Sequence, residues 1–173
     1  MRVPESAASP APAVPAGGPD GDQGIDRELL DWWALVMQGF QVTQDSLVGE
    51  LSRRFNLGRG LADVLLRLLA APQRRMPMSR LAQEAGMSSG GFTKLADRLC
   101  AAGLARRVSC DADRRMTYLE LTDEGQDTAQ AVSEAVTQVL RTRVVTAIGR
   151  DGFGELAEAM RTLRDANGDA RRP

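Results

Sequence analysis

Small and hydroxylated residues crowd one short stretch of this chain: Ser88, Ser89, Gly90, Gly91 and Thr93, with Lys94 and Arg98 following one helical turn apart. In the first turn of a helix such residues let the backbone approach an anion, which the free N–H groups and the helix dipole attract. The hydroxyls add hydrogen bonds to a phosphate or a base edge, and Lys94 and Arg98 place positive charge on a face that fits a major groove. Further along, Asp111-Ala112-Asp113-Arg114-Arg115 sits between two β-prone runs. Two arginines on a projecting loop suit a narrow minor groove, where the negative potential is strongest. Asp111 and Asp113 oppose that use unless one of them pairs with a basic neighbour and fixes an arginine rotamer. Exposed pairs of this kind contribute little stability, so their value is geometric. Arg106 joins the same basic set. A plain helical hairpin with a Ser/Gly connector and a solvated charged turn remain the simpler readings of these two stretches.

The charge balance supports a localised polyanion-binding face. The chain of 173 residues carries a formal charge of −1, yet residues 74–118 hold nine basic and four acidic side chains, a local +5 that leaves −6 elsewhere. Composition narrows the chemistry. Histidine is absent, which removes Ser-His-Asp and Cys-His catalysis and most zinc and haem sites. There is no phosphate-cradling Gly loop and no carboxylate cluster with ligand spacing, so neither an enzyme nor a cofactor is expected. The two cysteines, Cys100 and Cys110, are too few for a disulfide scaffold, and no apolar run approaches ~18 residues. The expected setting is the cytoplasm, with no membrane.

The elements that must hold these residues follow from periodicity and punctuation. Residues 1–24, with five of the eight prolines, read as a disordered Pro/Ala/Gly-rich tail. From Ile25, apolar residues at helical spacing predict a helix of about 30 residues over 25–58, with a bend near residues 43–46. Leu61, Val64, Leu65, Leu68 and Leu69 predict a second helix closed by Pro72. A short third helix over 78–85 ends at Gly86, and a fourth follows the Met87-Ser88-Ser89 connection to about Ala102, stopped by Gly103. Residues 104–108 and 116–121 predict a β-hairpin whose tip spans 109–115. Thr122-Asp123-Glu124-Gly125 starts a long helix that Gly149 breaks, and a last helix occupies about 151–164. Residues 167–173 are expected to fray. The fold class is mainly α with a small β-wing: a winged helix-turn-helix over 59–122, between long terminal helices (25–58 and 123–166) that form a dimerisation arm.

The motifs carry a family resemblance. Leu81-Ala82-Gln83-Glu84-Ala85-Gly86-Met87-Ser88 resembles the first part of the winged helix of MarR-family regulators. Residues 93–104, Thr-Lys-Leu-Ala-Asp-Arg-Leu-Cys-Ala-Ala-Gly-Leu, look like their recognition helix and its exit. Asp113-Arg114-Arg115, six residues, Thr122, two residues and Gly125 match the family's wing-to-helix signature in type and spacing. Gly90-Gly91-Phe92 and Ala105 depart from the usual pattern. The resemblance implies a homodimeric transcriptional regulator, usually a repressor, bound to a pseudo-palindromic double-stranded operator. By position, Ser88, Ser89, Thr93, Lys94 and Arg98 would then face the major groove, and Arg114 and Arg115 the minor groove. It also implies release by a small phenolic or amphipathic effector in a crevice near Trp32, Trp33, Met37, Phe40, Phe55 and Asp63. Aromatic and Met residues at this spacing are more often core. Two adjacent tryptophans, however, sit ~100° apart on a helix, so one must meet a partner, a ligand or solvent.

Two rival readings stay open at this level. A winged helix also serves as a protein-interaction module, which predicts no salt-dependent affinity for DNA. Some relatives sense oxidants through a cysteine of the first helix; this chain has none there, but Cys100 in the fourth helix and Cys110 in the wing permit a thiol switch.

Overall fold

A computed structural model describes residues 19–109 and 116–168. They form two compact units, one reaching Gln41 and one starting at Val42. Helix α1 spans Pro19–Phe55. Its first six residues belong to the stretch expected to be tail. Proline is tolerated at the first helical position because the N–H it lacks has no intrahelical acceptor there.

In the second unit, α2 (Arg59–Ala70) is the central element. It buries Leu61, Ala62, Val64, Leu65 and Leu68, a stripe at helical spacing that packs against α5 (Asp123–Leu140). A single 3-10 turn, Pro72–Arg74, leads to strand β1 (Arg75–Pro77). Helix α3 (Met78–Glu84) and helix α4 (Ser89–Ala101) form the helix-turn-helix, followed by β2 (Ala105–Ser109) and β3 (Thr117–Leu121). Both hairpin strands lie within a residue of their expected bounds. Strand β1 is an addition, and it completes an antiparallel sheet of order β1-β3-β2.

The register divides the sheet into two faces. Ala105 opposes Leu121, Arg107 opposes Leu119 and Met76 opposes Leu119, which puts Ala105, Leu119, Leu121 and Met76 on the core side. Arg106 and Arg75 both oppose Glu120, and Pro77 and Val108 both oppose Tyr118, so these residues share the outer face. Phe92 and Leu99 of α4 and Leu81 of α3 are buried in the same core as Leu65, Leu68, Leu119 and Val132.

The joint between α4, the sheet and α5 is tight. Gly103 has φ +73 and closes α4, with the Leu104 N–H donating to the Leu99 carbonyl at 3.0 Å, a six-to-one helix-ending bond that needs a left-handed residue. Thr122 then caps α5: its Oγ1 accepts from the Gly125 N–H at 3.0 Å and donates to the Gly103 carbonyl at 2.6 Å. Helix α5 runs into a π-helical turn, Arg141–Val145, and then α6 (Thr146–Gly168), which is interrupted at Gly149 by φ +75. The break expected at Gly149 is therefore local, and helix resumes on both sides of it.

Candidate nucleic-acid interface

The Ser/Gly stretch becomes the first turn of α4. Ser88 is the cap residue, its Oγ accepting from the Gly91 N–H at 3.2 Å. Ser89 opens the helix, and its carbonyl accepts the Thr93 hydroxyl proton at 2.8 Å. The Ser88 and Thr93 hydroxyls are thus oriented by the backbone, and each keeps acceptor lone pairs for a ligand. Gly90 has open space where a side chain would stand, so the backbone is uncovered at that residue. Lys94 and Arg98 lie one turn apart, both exposed, and neither is engaged by a carboxylate among the described residues. The opposite side of the helix holds it in place through Phe92, Ala96 and Leu99, all buried, and half-buried Leu95.

The sheet is tied to this helix by charge. The Arg107 guanidinium donates to Asp97 Oδ1 at 2.7 Å, linking β2 to the middle of α4. Such a pair is too exposed to add much stability, but it sets where the β2–β3 hairpin leaves the helix. Arg106, one residue earlier, projects to the outer face and pairs with Glu120 directly across the ladder. It therefore has an intramolecular acceptor, which Lys94 and Arg98 lack among the described residues. Arg75 on the same face lies over the Tyr118 ring, 5.4 Å from its centroid. The wing-tip residues Asp111, Asp113, Arg114 and Arg115, with Cys110, lie outside the described residues. Cys100 is half-buried on α4, against the core.

The residues expected near an effector crevice fall into both units. Trp32, Trp33, Met37 and Phe40 belong to the first and are exposed, the two tryptophans at 55% and 59%. Phe55 and Asp63 belong to the second. Phe55 is half-buried, with the Arg54 guanidinium 5.4 Å from its ring centroid. Asp63 accepts from Arg67 Nε at 2.8 Å. The same guanidinium reaches Glu84 at 3.1 Å, and Glu84 accepts from Arg80 Nε at 2.7 Å. This chain of four charges joins α2 to α3. The Arg80 hydrogen bond, followed by that from Arg67, holds the Glu84 carboxyl below its ordinary pKa. The hydrogen bond to Asp63 is the main reason the Arg67 guanidinium titrates higher than usual. Sequence reasoning missed this network, whose only local signals are the i,i+4 spacings of Asp63 with Arg67 and of Arg80 with Glu84.

A sequence profile of the MarR family matches residues 55–116, the stretch from the end of α1 to the start of β3. A MarR family transcriptional regulator from Streptomyces coelicolor, solved in complex with DNA, superposes with a TM-score of 0.72 at 26% identity, covering 83% of this chain and 88% of that one. Residues 55–116 match the MarR family, and the fold is that of MarR-family regulators. Among other MarR-family structures, AbsC of Streptomyces coelicolor, a transcriptional regulator, is 23% identical with a TM-score of 0.73 over 79% of this chain and 92% of its own. A mutant MarR from E. coli complexed with operator DNA is 20% identical with a TM-score of 0.68, covering 79% of this chain and 95% of that one. No curated protein matches the sequence significantly. Among the described residues no helix is long and apolar enough to cross a membrane.

Proposed function

We propose that this chain is a MarR-family regulator: a cytoplasmic, homodimeric, sequence-specific DNA-binding regulator of transcription, acting as a repressor. The observation that carries the reading is the exposed basic face of α4. Lys94 and Arg98 follow a capped first turn that Gly90 leaves uncovered at one residue, and no carboxylate among the described residues neutralises them. Left unpaired, the two charges favour a polyanion, and the uncovered backbone admits a phosphate to the helix N-terminus. Ser88, Ser89, Thr93, Lys94 and Arg98 then contact the major groove. The Arg107–Asp97 pair aims the wing, so that Arg114 and Arg115 reach the minor groove. Arg106 contributes only on leaving Glu120 or by sharing its charge with it.

Dimerisation is supported by what the terminal helices expose. Leu29, Trp32, Trp33, Val36, Met37 and Phe40 recur on one side of α1, and Ile148, Leu156, Met160 and Leu163 on α6 are exposed as well. Soluble monomers rarely show apolar stripes of that extent, and a two-fold partner is the ordinary way to cover them. A two-fold dimer sets its recognition helices about one DNA turn apart, ~34 Å, which matches a pseudo-palindrome. A small amphipathic effector lodging among the exposed tryptophans would change that spacing and release the operator.

A gel-shift titration at two salt concentrations, on fragments selected from the organism's own DNA, tests the reading. Affinity should fall steeply with salt, as phosphate neutralisation demands. Indifference to duplex DNA at low salt would favour a winged helix that binds protein.

A further inference from the structure

Arg67 of α2, Arg75 of β1, Arg80 of α3 and Tyr118 of β3 line an open groove of about 630 Å³ whose one carboxylate is that of Glu84. None of these residues is among those assigned to DNA above. Glu84 does not cancel the arginines. It accepts from Arg80 and Arg67, and Arg67 also donates to Asp63, so those four charges balance and Arg75 is left in excess. No carboxylate among the described residues pairs with Arg75, whose guanidinium lies over the Tyr118 ring. Glu120, across the ladder from it, is taken by Arg106. The Arg80 side chain is 64% exposed and gives only its Nε to Glu84, so its two terminal nitrogens are left to donate outward.

The topology sets this groove beside the elements that meet DNA on the regulator reading. Pro77, on its wall, opposes Tyr118, the neighbour of Thr117 at the wing end of β3, so one end of the groove is the foot of the wing. Pro77 also leads directly into α3, whose third residue is Arg80. When the second helix of a helix-turn-helix enters a major groove, the first crosses the sugar–phosphate backbone.

We propose that this groove seats the DNA backbone, with Arg75 and Arg80 each donating to one phosphate. The inference rests on the regulator reading and extends its contact surface from α4 and the wing tip to α3 and the β1 edge of the sheet. Glu84 orients Arg80 as Asp97 orients Arg107, and the Tyr118 ring does the same for Arg75. A small ligand is normally mostly enclosed by its site, whereas an open groove with outward-facing arginines suits a strand of linked charges passing over it. A phosphate contact carries no sequence information, so this one strengthens binding to every duplex alike.

Gel-shift titrations of the full-length chain across a salt series, on a selected duplex and on an unrelated one, test this with Arg75→Gln and with Arg75→Gln/Arg80→Gln. Each lost phosphate contact should lower the log–log salt slope by ~0.9, hence ~0.9 for the single and ~1.8 for the double variant. Both duplexes should weaken by the same factor, leaving the preference between them unchanged. Arg164→Gln, near the end of α6, removes the same charge and should keep the parent's slope. Arg75 takes no part in the Glu84 pairs, so R75Q keeps the test decisive if the double variant fails to fold. A slope that R75Q leaves at the parent's value would overturn the proposal, as would a loss confined to the selected sequence. Saturable binding of inorganic phosphate that R75Q abolishes, with the slope on DNA unchanged, would overturn it in favour of a small anion. A parent that ignores duplex DNA defeats the regulator reading itself, whereas a parent that binds DNA with the same slope as R75Q defeats this inference alone.

Discussion

Replacing Gly125 with alanine places one methyl group where the fold has no space. An ideal Cβ at this position lies 1.7 Å from the Leu104 carbonyl oxygen and 2.7 Å from its carbonyl carbon. Both are backbone atoms that no rotamer change can move. Restoring a tolerable contact requires a displacement of at least about 1.3 Å, a form of overpacking that costs about 1–3 kcal/mol. That displacement acts on the joint between α4 and the sheet, where the Leu104 carbonyl accepts the Thr122 N–H at 3.2 Å. Losing this bond adds about 1 kcal/mol, which brings the expected cost to about 3 kcal/mol. For a chain of this size the melting temperature should fall by roughly 6–12 °C, measured by circular dichroism at fixed protein concentration. Gly90→Ala is the matched control: the same methyl group, in a helix, with nothing within 4 Å. It should leave the melting temperature unchanged or raise it slightly through helix propensity. A Gly125→Ala protein that melts within a degree of the parent would refute the packing argument.

Three further outcomes follow from the same structure. Lys94→Ala should reduce the salt dependence of DNA affinity by about one phosphate contact, a change of ~0.9 in the log–log slope, and an unchanged slope would remove Lys94 from the interface. Arg115→Ala should weaken binding to specific DNA while the sedimentation coefficient of the free protein stays that of the dimer; undiminished affinity would count against the wing reading. Because its partners lower the pKa of Glu84, the stabilisation they give is complete above about pH 4.5 and is lost as the pH falls through the lowered value. The gap in melting temperature between the parent and Glu84→Gln should therefore be constant near neutrality and close in acid. A gap that ignores pH would argue that Arg67 and Arg80 do not act through the Glu84 charge.

What the sequence made legible was whatever is decided by a few neighbouring residues. Ser88 and Thr122 cap their helices, and Gly103 ends one, because the hydrogen bonds concerned close within five residues. The apolar stripe of α2 was equally plain, since burial on one face writes itself as a 3.6-residue period. Strand β1 could not be read in the same way. Arg75-Met76-Pro77 is too short to alternate visibly and exists through pairing with Glu120, Leu119 and Tyr118, more than forty residues away. The start of α1 was hidden for a different reason: Pro19 looks like one more proline of the tail until the helix behind it is seen. At the candidate site, residue types pointed to α4, and burial of Phe92 and Leu99 then fixed which face is outward. The partners of Arg106 and Arg107 required the sheet register and the approach of β2 to α4, both products of tertiary structure.

Native mass spectrometry of the full chain with a selected duplex, alongside a competition titration against unrelated DNA, bears most directly on function. Two copies of the chain on each duplex, with a clear preference over the competitor, are predicted. A single copy that treats all duplexes alike, or leaves them free at low ionic strength, would contradict a paired reader of DNA.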